Sequence, residues 1–130
     1  MTLPLQLVLI AIGGALGACM RFGASVWANK VFVGFVAFPV GTLFVNVIGS
    51  ALMAMCYGLV VEKGVLPESI KPFFMVGFLG AFTTFSSFSL EAIALFEQGL
   101  VLNSVSYVVA NVVLSLLFFV VGLAVVRLVF

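Results

Sequence analysis

Apolar residues fill four long runs of this chain, and polar residues interrupt them at few positions. The runs cover about residues 4–28, 38–61, 72–97 and 104–128. Each exceeds the roughly 20 mostly apolar residues that a membrane-crossing α-helix needs. Pro39 and Pro72 stand at the openings of the second and third runs, where proline suits a first helical turn. Turn-formers and charges collect between the runs: Lys30; then Glu62, Lys63, Gly64, Pro67, Glu68 and Lys71; then Gln98, Gly99 and Asn103. No internal repeat stands out. The pattern predicts an all-α membrane protein, with four transmembrane helices per subunit in one domain over 1–130. The first run has no basic residue before it and three runs after it. It therefore reads as a true span and not as a cleaved signal.

The polar residues inside the runs are spaced regularly. Thr42, Asn46 and Ser50 lie four apart in the second run, and Asn103, Tyr107, Asn111 and Ser115 in the fourth. That spacing puts each set on one helix face. The stripes extend about 12–18 Å along their helices, at 1.5 Å per residue. Such residues can bond helix to helix in a membrane. They can equally line a hydrated or ion-bearing path, which relieves the cost of an unpaired amide in hydrocarbon. Amides, hydroxyls and the tyrosine phenol can all point hydrogens at an anion.

The third run holds Thr83-Thr84-Phe85-Ser86-Ser87-Phe88-Ser89, followed by Glu91. Five hydroxyls and a carboxylate at membrane depth imply a polar site there. Phenylalanines at 78, 82, 85 and 88 make a continuous stripe if the helix is regular, and such a stripe can simply face lipid. Gly80 and the hydroxylated, β-branched residues after it hold a regular helix poorly. A break near 80–84, close to mid-membrane, is therefore expected. It would free carbonyls that must be buried, hydrated or bound to a cation. Phenyl edges carry positive quadrupole charge and can border an anion path.

Composition narrows the class further. The chain has 130 residues, 65% hydrophobic and 7% charged, with net charge +1 and neither Asp nor His. A soluble domain is nearer a quarter charged. The balance speaks against a nucleic-acid partner, and no metal or nucleophile–base pattern indicates an enzyme. Cys19 and Cys56 read as small buried apolar residues. Glu91 is the one carboxylate well inside a run. Arg21 places a positive charge near one end of the first run, as a functional group or as a snorkelling side chain. With the N-terminus inside, Lys63, Lys71 and Arg127 face Lys30 and at most Arg21. So weak a bias lets the chain insert both ways. It predicts dual topology and an antiparallel homodimer. Gly13, Gly17, Gly41, Gly49, Gly77 and Gly80 would permit close helix approach.

Three motifs together carry a resemblance. They are Gly13-Gly14-Ala15-Leu16-Gly17-Ala18-Cys19-Met20-Arg21, Gly41-Thr42-Leu43-Phe44-Val45-Asn46, and the stretch from Gly77 through Thr83-Thr84-Phe85-Ser86-Ser87-Phe88-Ser89 to Glu91. Their order and spacing over the whole chain resemble the Fluc (CrcB) fluoride channels. The resemblance implies passive, selective export of fluoride across the cell membrane by an antiparallel homodimer with two pores. By position, Phe85 and Phe88 resemble that family's pore phenylalanines, and Asn46 its pore asparagine. Arg21 resembles its vestibule arginine, and Glu91 a glutamate near the pore's far end. Tyr107 and Ser115 match polar-track positions, with Asn111 on the same track, and Thr42 and Thr84 join the implied fluoride pathway. Gly80 and Thr83 match positions whose carbonyls hold a structural Na⁺ on the two-fold axis. The implied partners are fluoride, the bilayer and a second copy of the chain. A proton-coupled small multidrug exporter is the alternative, although the first run lacks its carboxylate. A scaffold subunit is a further one.

Overall fold

The computed structural model describes residues 1–34 and 38–130, all helical or in short connections. Helix α1 spans Leu3–Val31, with Pro4 in its first turn. Helix α2 spans Val40–Tyr57, preceded by Pro39 in extended conformation, and continues as a π-helical turn, Gly58–Glu62. A 3₁₀ turn, Glu68–Ile70, leads into a π-helical segment, Pro72–Leu79, and then into α3, Gly80–Phe82. Thr83 and Thr84 are extended, with ψ of 158° and 119°. Helix α4 spans Phe85–Glu97, and α5 spans Val101–Val129. Asn103 therefore lies within the first turn of α5 and not in the connector before it. Gly99, at φ +78°, makes that turn tight enough for the helix to restart almost at once.

Among the described residues, four stretches are long and apolar enough to cross a membrane: Leu3–Val31, Val40–Glu62, Glu68–Glu97 and Val101–Val129. The protein is multi-pass, as the hydropathy pattern predicts. Large apolar side chains on the outer faces remain exposed, among them Leu128, Phe22 and Leu102. In a bilayer, lipid tails or neighbouring protein cover such surface.

Two kinds of packing build the bundle. Helices α2 and α5 run parallel in a constant register: Asn46 bonds Asn111 and Glu62 pairs with Arg127, both 65 residues apart. Helix α1 instead packs backbone to backbone against Pro72–Leu79. A Cβ on Gly13 would lie 2.3 Å from the Phe73 carbonyl oxygen, and one on Gly17 only 2.1 Å from that of Phe78. Only glycine allows so close an approach. Gly80 does not share this role, since it is exposed and a Cβ there would meet nothing nearer than 3.5 Å. Cys19 also departs from expectation, because it is exposed while Cys56 is partly buried. It follows Gly17 by two residues, about 200° around the helix, which points it away from the glycine seam. Phe88, Ala92, Leu95 and Tyr107 form a buried cluster between α4 and α5, with Phe38 and Leu43 against it.

Candidate functional site

The site grows from the interruption between α3 and α4. Fifteen residues of the Glu68–Glu97 span precede Thr83 and thirteen follow Thr84, so the interruption divides the span near its middle. The Thr83 hydroxyl donates back to the Leu79 carbonyl at 3.1 Å, a bond that competes with continued helix. Thr84 is the N-cap of α4, and its Oγ1 accepts the Ser87 N–H at 3.2 Å. The polar backbone of Thr84 is paired by one side chain from α2. Asn46 Oδ1 accepts the Thr84 N–H at 2.8 Å, and Asn46 Nδ2 donates to the Thr84 carbonyl at 3.1 Å. Nδ2 also donates to Asn111 Oδ1 at 3.1 Å, and Asn111 donates to the Tyr107 carbonyl at 3.2 Å.

These bonds alter what the carbonyls before the break can do. In an unbroken helix the Gly80 carbonyl would accept from the Thr84 N–H, and the Thr83 carbonyl from the Ser87 N–H. Both donors are taken by side-chain oxygens, on Asn46 and Thr84. The two carbonyls thus lose the partners that helix would have supplied.

Beside the break lies a cleft of about 360 Å³. Asn46 and Ser50 of α2, Asn111 and Ser115 of α5, and Thr83, Thr84, Phe85 and Phe88 line it. Six of the expected pathway residues therefore share one cavity. The two aromatic rings meet edge to face, 5.2 Å apart at 63°. Phe88 is buried, whereas Phe85 is 77% exposed at the open side. The aromatic stripe of the third run does not continue through the break. Phe78 and Phe82 stack with each other on the other side of it, because two extended residues shift the helical phase.

Thr42, Tyr107 and Glu91 form a cluster next to the cleft. The Thr42 hydroxyl donates to one Glu91 oxygen at 2.9 Å, and the Tyr107 hydroxyl donates to the other. Phe88 packs on the Tyr107 ring at 5.7 Å, joining cluster to cleft. The stripes are thus part glue and part lining. Thr42, Tyr107 and both amide hydrogens of Asn46 serve bonds within the chain. Ser50 and Ser115 line the cleft with no hydrogen bond among the described residues. Arg21, partly exposed on α1, is not among the lining residues. Gly80 also lies outside the lining.

Other contributors are invisible to motif reading. Gly49 lies against the break, where a Cβ would fall 2.3 Å from the Thr83 methyl. Asn29, at the end of α1, accepts the N–H groups of Val40 and Gly41 at 3.1 and 2.7 Å. It caps α2 from another helix and so sets the height of Thr42. Its N-cap chemistry is legible as a residue type, but its partner is eleven residues away.

The family profile described as "CrcB-like protein, Camphor Resistance (CrcB)" matches residues 8–123. A protein of Saccharophagus degradans named fluoride-specific ion channel FluC is 49% identical over 108 residues, covering 82% of this chain and 78% of its own. One of the same name from Cereibacter sphaeroides is 45% identical over 122 residues, 94% of each chain. Another, from Hahella chejuensis, is 42% identical over 129 residues, 99% of each. A profile match across most of the chain, with relatives aligned nearly end to end, places this four-span protein in the CrcB/FluC family.

Proposed function

We propose that the chain is a fluoride-selective channel that carries F⁻ passively out of the cytoplasm and relieves fluoride toxicity. The observation that supports it best is the cleft, where the Phe85–Phe88 edge pair faces the hydroxyls and amides of α2 and α5. Fluoride is small and strongly hydrated, so a path must replace its water with other donors. Ser50, Ser115 and ring edges can do so in a narrow passage. HF crosses membranes neutral and ionises in a less acidic cytoplasm. The interior-negative potential then drives F⁻ outward, at about 2.3 kcal/mol per charge per 100 mV. An exporter coupled through a carboxylate in the first span has no such residue on α1 to use.

We further propose an antiparallel, dual-topology homodimer with two pores in the cell membrane. The weak charge bias supports dual insertion. The open side of the cleft, with Phe85 largely exposed, supports a second copy as its missing wall. The residues before the break also fit a structural Na⁺. The Gly80 and Thr83 carbonyls are neutral oxygen donors released from helical pairing, the donor type that hard cations take. The ion would supply positive charge that fixes these carbonyls between subunits.

Efflux from liposomes containing the purified protein tests the reading, with fluoride and chloride compared. Fast fluoride efflux with chloride retained is expected. Fast chloride efflux, or none of fluoride, overturns it. Tags at both termini should each be found on both sides of the membrane, and a single orientation refutes the antiparallel pair.

A further inference from the structure

We infer that Asn46 is a positioning residue that holds the third-span break open, and through it links the cation site to the anion path. The inference rests on the cation reading above. Asn46 presents an acceptor and a donor side by side, and Thr84 uses both. The side chain thus pairs Thr84 much as a neighbouring strand would. It removes the one donor that would close the helix onto the Gly80 carbonyl. Thr84 is buried and both bonds are partly shielded, so water does not freely replace them. Gly49, less than one turn further along α2, lets the break seat directly on that helix. The second hydrogen of Nδ2 goes to Asn111, on the far wall of the cleft. One side chain therefore touches the backbone that shapes the cation site and the wall that shapes the pore.

A plain role as anion donor predicts something different. Both amide hydrogens already have acceptors within the chain. Loss of Asn46 should therefore change the response to Na⁺ and not the fluoride flux alone.

Thermal unfolding and dimer fraction of the detergent-purified protein, titrated with NaCl against N-methylglucamine chloride, separate the two roles. Wild type should gain stability with Na⁺. In Asn46→Ala the Thr84 N–H returns to Gly80, and the apparent Na⁺ affinity should fall roughly fivefold to tenfold, the weight of about one hydrogen bond. Asn46→Asp keeps the acceptor for Thr84 and should keep most of the Na⁺ response while its fluoride flux falls. A wild type indifferent to Na⁺ sinks the cation reading itself. A Na⁺-responsive wild type with an unchanged Asn46→Ala overturns the positioning role. So does an Asn46→Asp that behaves like Asn46→Ala. If Asn46→Ala does not fold, Asn46→Ser removes the same reach to Thr84 and takes its place.

Discussion

The two halves of the third span are built by opposite means. Before the break, Pro72–Leu79 meets α1 through glycines and carbonyls, at distances that exclude even a methyl group. After it, α4 meets α2 and α5 through side chains: Glu91 takes two hydroxyls, and the Ser104 hydroxyl donates to the Ala92 carbonyl at 2.7 Å. Between aliphatic surfaces in lipid there is no hydrophobic drive, so close backbone packing must hold the first half. The second half is held by polar pairs, which in the same medium are scarce and directional. A span that divides this way has an anchored half and a half whose polar groups can serve a passage.

Substitutions on the two sides should therefore fail differently. The largest effect is expected from Gly17→Ala, whose added carbon would lie 2.1 Å from a backbone oxygen. The helices must separate, at a cost of about 3 kcal/mol. Thermal unfolding and the yield of monodisperse protein measure it, and wild-type behaviour would dissolve the contrast. On the other side, Phe85→Ile should leave folding intact, because that ring is exposed in the single chain. An edge contact worth about 0.5–1.5 kcal/mol puts the loss of fluoride flux at about twofold to tenfold. Phe88→Ile should lower both flux and stability, since its ring is buried against Tyr107. Unchanged flux in both would reduce the rings to packing.

Tyr107→Phe keeps the ring and deletes one donor to Glu91. A hydrogen bond contributes about 0.5–1.5 kcal/mol net, so unfolding should ease by that order. Thr42→Val removes the other donor and should act in the same direction. If the two losses are additive in the double variant, Glu91 does not join α2 to α5 as a shared acceptor. Arg127→Ala should do least. Its pair with Glu62 is at the exposed end of α2 and α5, where such bridges contribute little. Flux and unfolding temperature should both stay at wild-type values.

The amino-acid sequence by itself determined the four spans, because twenty apolar residues in a row have few other solutions. It also placed Thr42, Asn46 and Ser50 on one face and Tyr107, Asn111 and Ser115 on another, since helical periodicity is local. Gly80 and the two threonines marked where helix is weakest for the same reason. Partners were decided only by the tertiary structure. The constant register of α2 against α5 brings Asn46 to Asn111, and nothing along either helix specifies that alignment. The same holds for Glu91, readable as a carboxylate inside a span but not as the acceptor between two helices. Asn46 looked like a donor awaiting an anion, yet the fold commits its hydrogens to the break and to the opposite wall. A hydrogen-bonding group in hydrocarbon must find some partner. Which one it finds depends on distances between segments far apart in the chain.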